Sequence, residues 1–255
     1  MVPRMATMIQ RVKRRLRRMV SSSQKPTQKP APAAASTKTA APSAPAQGRA
    51  AIDREAWASA AQNGELGFHK RHNFRADQEV WWTHVQRDWQ ALGLEPTGWE
   101  GKTIIDVGAG SKLRSLYFQG AELIVLEPLA DRYVEEVAWH DLDKADEMYS
   151  VPAEEFVPQL ENRADLIVSI NALDHGYNFE EGARNIRRYL KPDGLALLSF
   201  DMHDQPDEMH PLILTDEICT KIFTAAGFRI EKSEKGRRYH GAAGPQATHW
   251  WLRPA

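Results

Sequence analysis

The chain has a single cysteine, Cys219, among its 255 residues. That excludes an internal disulfide and a cysteine-based metal knuckle, and a reducing cytoplasm is the expected setting. Long apolar runs are missing too: nothing approaches the roughly 18 consecutive apolar residues that a membrane-spanning helix requires. Acidic residues are missing from the first fifty positions, which carry eleven Lys and Arg. The formal net charge of −1 therefore conceals an acidic remainder, with 22 basic against 34 acidic residues. Its field opposes nonspecific nucleic-acid binding.

What is present divides the chain into four stretches. Residues 1–20 are basic, and within them "MIQRVKRRLRRMV" sets Met8, Val12, Leu16 and Met19 at helical spacing, with Arg11, Arg14, Arg15 and Arg18 on the other faces. This reads as a basic amphipathic segment suited to peripheral contact with anionic lipid; a solvated tail and a transit peptide are the competing readings. Residues 21–50 are Pro, Ala, Ser, Thr and Lys for the most part. They cannot bury enough apolar surface to offset chain entropy, and are expected to be a disordered linker. Order should begin near Ile52, and 51–100 is read as helical. There Trp81, Val85, Trp89 and Leu92 recur at helical spacing ahead of Gly93, a core-facing aromatic stripe with its stop.

From residue 101 to 255 short β-branched runs alternate with helix-like stretches. "TIIDV", "ELIVL", "DLIVSI" and "LALLSF" predict parallel strands joined by helical crossovers, with helices on both faces. "GFRIEKS" and "ATHWWLR" have no helix between them and predict a terminal antiparallel hairpin. Pro192 and Gly194 in "LKPDG" read as turn chemistry, Pro ending a helix and Gly supplying positive φ.

The stretch "TIIDVGAGSKLRSL" leaves its strand through Gly108 and Gly110, whose missing Cβ atoms permit positive φ and close backbone approach. Glu127 closes the next strand, nineteen residues after Gly108, where a doubly wound sheet offers a carboxylate to ribose hydroxyls. Together these predict a nucleotide-type site. The third glycine of a dinucleotide fingerprint is missing, Leu113 standing in its place, and the length and order of a phosphate loop are absent. A nucleoside-type ligand without phosphates remains.

Five motifs in order then resemble the class I S-adenosylmethionine-dependent methyltransferases, in the broad group labelled type 11. They are "IIDVGAG", "VLEPL", "SVPAEEF", "DLIVSINALDH" and "RNIRRYLKPDGLALLSF", and the likeness spans about Thr103 to Arg253. The resemblance implies a Rossmann-like, doubly wound, mostly parallel seven-stranded sheet with S-adenosylmethionine as cofactor and methyl transfer as the activity. It implies Asp106, Gly108, Ala109 and Gly110 around the methionine moiety, Glu127 on the ribose, Ala153 and Glu154 beside the adenine, and Asn171 beneath the sulfonium. It also implies that the 51–100 segment lids the pocket. Lys112, in place of the family's usual third glycine, is expected either to add a cation near the cofactor carboxylate or to mark a decayed pocket. Pro152 stands where an acid often reads the adenine amine.

Proton-transfer candidates sit beyond strand carboxyl ends. His175 is the first choice, five residues past "DLIVSI", with Asp174 orienting it or capping the next helix; His203, with Asp201, is the second. His203, Asp204, Asp207 and His210 cluster in sequence without an HExxH-like spacing, and no metal is expected. His69, Lys70, Arg71, His72 and Arg75 are read as an anion clamp or a solvated helix start, and Arg237, Arg238 and Tyr239 as an acceptor rim or a charged hairpin. The expected function is O-methylation of a small-molecule or glycan-type acceptor. The alternatives are an inactive binding protein of the same fold and, against the acidic charge, a nucleic-acid methyltransferase. An NAD enzyme is disfavoured by the missing glycine.

Overall fold

The computed structural model describes residues 53–72, 77–202, 205–207, 209–236 and 247–255. The basic segment 8–20, the linker 21–50 and Ile52 lie outside the described residues, as do Arg75, His203, Asp204 and the loop with Arg237, Arg238 and Tyr239. Among the described residues no helix is long and apolar enough to cross a membrane.

Two helices precede the sheet. The Asp53 carboxylate accepts from the Ala56 N–H at 2.8 Å and starts α1, Arg54–Arg71; Asp77 does the same for α2, Gln78–Ala91, through the Val80 N–H at 3.1 Å. Each cap satisfies a donor that the helix itself leaves unpaired. The predicted stripe of α2 is buried, and Gly93, at φ 76°, follows its end. The basic cluster expected at a helix start instead forms the last turn of α1, where His69, Lys70 and Arg71 complement the helix dipole.

The sheet comprises β1 (Thr103–Val107), β2 (Glu122–Leu126), β3 (Glu147–Tyr149), β4 (Ala164–Ile170), β5 (Leu190–Asp201), β6 (Phe228–Gly236) and β7 (Ala247–Pro254). Its order is β3-β2-β1-β4-β5-β7-β6, the first five parallel and β7 antiparallel to both neighbours. The seven-stranded, mostly parallel sheet and its terminal hairpin are thus as expected. Sequence reading passed over β3, which has three half-buried residues and no β-branched side chain. Helices α3 (Ala130–Glu136), α4 (Phe179–Tyr189) and α5 (Asp216–Ala225) complete the fold.

Strand pleating sends alternate side chains to two cores. Ile104, Leu166, Val168 and Leu197 pack with the α2 stripe, while Ile105, Ile167, Ala196 and Leu198 pack with Phe179 and Ile186 of α4 and Phe223 of α5. Each such side chain, fully buried, contributes roughly 1.5–3 kcal/mol before entropy is counted.

Two local expectations are corrected. The β1–β2 connection holds no α-helix, only a 3₁₀ turn at Arg114–Tyr117. Leu113 N–H donates to Asp141 Oδ1 at 2.6 Å, Arg114 Nη1 to Asp88 Oδ2 at 3.0 Å and Ser115 Oγ to Asp106 Oδ2 at 2.7 Å. Three consecutive residues are tied to three different segments, which the single outward face of a helix cannot satisfy. Gly194 is not among the glycines at positive φ, and "LKPDG" lies within β5, opposite a register shift between Ala164 and Leu166. What Gly194 supplies is close approach: a Cβ there would lie 2.8 Å from the Ala164 carbonyl oxygen.

Candidate functional site

A pocket opens at the carboxyl ends of β1, β2 and β4, with about 700 Å³ of space, its mouth included. The glycine turn forms one wall. Gly108 at φ 70° and Gly110 at φ 65° are both left-handed, and a Cβ on Gly108 would fall 2.2 Å from the Ala172 Cβ of the loop after β4. Glycine is required there by conformation and by contact.

Glu127, at the end of β2, is buried and held by both oxygens. Oε2 accepts from Gly110 N–H at 3.0 Å and Oε1 from Leu129 N–H at 2.9 Å. Burial lifts its carboxyl to about 7, against the two backbone donors that favour the charged form. Asp106 is lifted to about 6 by burial, opposed by hydrogen bonds from Ser115. Asp106 and Ala109 do not line the pocket; Asp106 anchors the turn from behind, and Ala109 packs under it against the cluster around Leu113 and Val125.

Lys112 is also outside the pocket lining, buried with its Nζ 2.9 Å from Asp141 Oδ2 and 2.7 Å from Gln78 Oε1. It is not a cation at the pocket. It neutralises the aspartate whose other oxygen accepts from Leu113 N–H, and Leu113 itself is core.

Helix α1 covers the opening. Gln62, Glu65 and His69, at i, i+3 and i+7, line the pocket with Trp57. Trp57 Nε1 donates to the His175 carbonyl at 2.7 Å and its ring lies 5.0 Å from that of Tyr177. His69 Nδ1 lies 2.8 Å from Ser111 Oγ, directly after the glycine turn. Gln62 Oε1 is buried and has no hydrogen-bond partner among the described residues. Sequence reading missed Gln62 and Glu65; the helical spacing of Trp57, Ala61, Gln62, Leu66 and His69 was the available signal, blurred because the inner arc is half polar. Among the described members of the basic cluster only His69 lines the pocket: Lys70 pairs with Glu136, and His72 stacks on Phe68.

The far wall follows β4. Asn171 takes a positive φ of 53° and donates its N–H to the Ser199 carbonyl at 2.6 Å, a strained conformation for a non-glycine residue, of the kind that gathers at functional sites. His175 lies beyond it with Nε2 3.4 Å from Asn171 Nδ2 and Nδ1 3.2 Å from Glu65 Oε1 on α1. Asp174 is fully buried beneath, outside the lining. Ala153 and Glu154 line the pocket as well. The Glu154 carboxylate accepts from the Tyr177 and Asn178 N–H groups at 2.7 and 3.1 Å, bracing the loop after β4, and burial raises its pKa. Asp201 is buried at the end of β5.

The model of the methyltransferase domain family matches residues 81–251. Comparison with curated protein sequences gave no match. Among solved structures, a S-adenosylmethionine-dependent methyltransferase from Leishmania major is similar at 15% identity, covering 75% of this chain and 82% of that one with a TM-score of 0.52. One from Mesorhizobium loti has 16% identity, 65% and 97% coverage and a TM-score of 0.51. The [4+2]-cyclase SpnF has 17% identity, 66% and 81% coverage and a TM-score of 0.50. The likeness to these structures is one of fold. With the family model spanning most of the sheet and both walls of the pocket, the chain belongs to the methyltransferase domain family, in its class I, S-adenosylmethionine-dependent group.

Proposed function

We propose that this protein moves the methyl group of S-adenosylmethionine to a hydroxyl of a small-molecule or glycan-type acceptor, with His175 receiving the hydroxyl proton. The observation that carries the reading is the pairing of His175 with Glu65 across the pocket, at 3.2 Å. The Glu65 carboxylate lies beside Nδ1 at ion-pair distance and favours a proton on that side of the ring, which would leave Nε2 as the basic nitrogen of a residue that lines the pocket.

The lining suits the cofactor. Among the described residues its polar groups are rich in acceptors, Glu127, Glu65 and the Gln62 oxygen that has no partner there, and include no Lys or Arg. S-adenosylmethionine is cationic at sulfur and carries donors on ribose, adenine and its ammonium. Glu127, with one lone pair on each oxygen already used, keeps a second on each for the ribose hydroxyls. Gly108 and Gly110 bring backbone close, Ala153 and Glu154 border the adenine, and Asn171 lies by the reacting end. A pyrophosphate would fare poorly, since the glycine turn leads into no α-helix whose N-terminus could face it.

Bound there, the cofactor supplies a methyl carbon open to in-line displacement, and the protein's part is alignment and exclusion of water. Helix α1 excludes water by seating Trp57 and His69 on the rims of both loops. Glu65 aims His175, and His175 accepts the proton. Lys112, engaged with Asp141, lends no support to an inactive reading. Residues 8–20 would bring the domain to anionic lipid, which sedimentation with anionic vesicles tests.

Calorimetry with S-adenosylmethionine and with NAD, followed by a screen of labelled methyl transfer into cell extracts and candidate glycans, tests the function. Expected are binding of the first ligand alone and label on oxygen; tight NAD binding, binding of neither, or label on nitrogen or carbon overturns the reading. His175→Ala should lower turnover about 100-fold with cofactor affinity retained.

A further inference from the structure

The ends of β4 and β5 carry more donor chemistry than a single proton transfer needs. One ligating atom from each of Asp174, His175 and His210 lies within 4.8 Å of the other two. The two imidazole rings are 4.4 Å apart, centroid to centroid, inclined at 47°. Each ring turns its Nδ1 to a carboxylate, His175 to Glu65 at 3.2 Å and His210 to Asp207 at 3.0 Å. For His210 this hydrogen bond places the proton on Nδ1 and the lone pair on Nε2, the outer support by which metal-ligating histidines are oriented, while Glu65 stands beside the His175 ring at ion-pair distance. Asp207 is itself fixed, since its Oδ1 accepts from the Met209 and His210 N–H groups at 2.8 and 2.7 Å. Asp174, fully buried, adds a carboxyl oxygen.

We infer that Asp174, His175 and His210 form a site for one borderline first-row dication of the Zn²⁺ class, and that filling it withdraws His175 from proton transfer. Two imidazoles and one carboxylate match three-ligand zinc sites, whose fourth position is open; a hard cation such as Mg²⁺ prefers an all-oxygen set. Only His210 comes from the histidine- and aspartate-rich run 203–210, so the set is assembled across two loops rather than along one. The inhibitory consequence rests on His175 as the base, because one lone pair cannot hold a metal and receive a proton. Binding of the cation does not rest on it.

The full chain, stripped by a chelator, is titrated with Co²⁺ and then Zn²⁺. One equivalent of Co²⁺ should give visible ligand-field bands that Zn²⁺ abolishes. His210→Ala should lose the bands while keeping its affinity for S-adenosylmethionine. Asp207→Asn, which leaves all three ligands in place, should weaken Co²⁺ binding about 10- to 100-fold. Absence of bands in the wild type, or bands unchanged in His210→Ala, overturns the site. These readings need no acceptor, so a failure of the O-methylation reading leaves them intact. With an acceptor, one equivalent of Zn²⁺ should slow methyl transfer at least about tenfold in the wild type and leave His210→Ala unaffected; Zn²⁺ that binds without slowing transfer overturns the inhibitory role.

Discussion

The loops that leave β1 and β4 meet at the carboxyl edge of the sheet, and they are built differently. The glycine turn of the β1 loop is held by its own neighbourhood: two left-handed glycines, the Glu127 carboxylate at the end of the adjoining strand, and Ser115 folding back on Asp106. Only the residues after the turn reach out to Asp88 and Asp141. The β4 loop is held from afar, by Glu65 and Trp57 of α1 and, through ring contact, by His210 after β5. Their contact is tight, since the Gly108 position admits no Cβ against Ala172. The difference teaches that the wall proposed for the cofactor turns on a local device, whereas the wall proposed for the acceptor exists only once distant segments have docked.

Breaking the buried tie behind the β1 loop should have the largest effect. Lys112→Met leaves Asp141 charged and unpaired in the interior and should cost about 3–5 kcal/mol in urea unfolding. The affinity of the protein that remains folded for S-adenosylmethionine should be unchanged, since Lys112 lies outside the pocket lining; a selective loss of affinity would move Lys112 back into the site.

Gly108→Ala attacks the seam between the loops. The left-handed backbone and the overlap with Ala172 together should cost about 2–4 kcal/mol, measured by the same unfolding midpoint. Ala172→Gly in the same chain should recover the share due to contact and not the share due to φ.

Glu127→Ala should weaken S-adenosylmethionine binding on the order of 100-fold, by loss of hydrogen bonds to a charged group. The same carboxylate shapes the pH dependence of stability. Glu127 titrates at about 7 and Asp106 at about 6 in the folded protein, both raised by burial. Between their unfolded values near 4 and these folded values the native state binds more protons than the unfolded chain. Their contribution therefore favours folding below about pH 4, is lost as pH rises to about 7, and is flat beyond. Glu127's share is on the order of 3 kcal/mol. Unfolding midpoints across pH 4–8 should show this slope, reduced in Glu127→Gln.

The smallest change expected is on the acceptor wall. Glu65→Gln keeps the shape of α1 but weakens the hold on the His175 ring, and should lower kcat about tenfold with cofactor affinity unaltered. An equal loss of cofactor affinity would mean that Glu65 serves the pocket as a whole rather than His175.

What could be read from the chain follows the same division. The alternation of "TIIDV" and "ELIVL" with glycine turn and acid was legible because covalent neighbours, strand period and turn conformation carry it. So was the α2 stripe, whose spacing repeats without interruption. The pocket-facing side of helix α1 was not, because Gln62, Glu65 and His69 are polar, which conceals the periodicity. The missing helix after β1 was not, because Leu113 and Arg114 are bound by Asp141 and Asp88, partners remote in sequence.

The sequence by itself determined the sheet, the left-handed turn and the placing of Glu127, since those depend on steric rules acting over a few residues and on apolar period. Only the tertiary structure decided that Lys112 is a buried counter-ion, and that Glu65 and His210 both meet His175. A charged or histidine side chain takes its role from what packs against it, and Glu65 and His175 meet across 110 positions of chain.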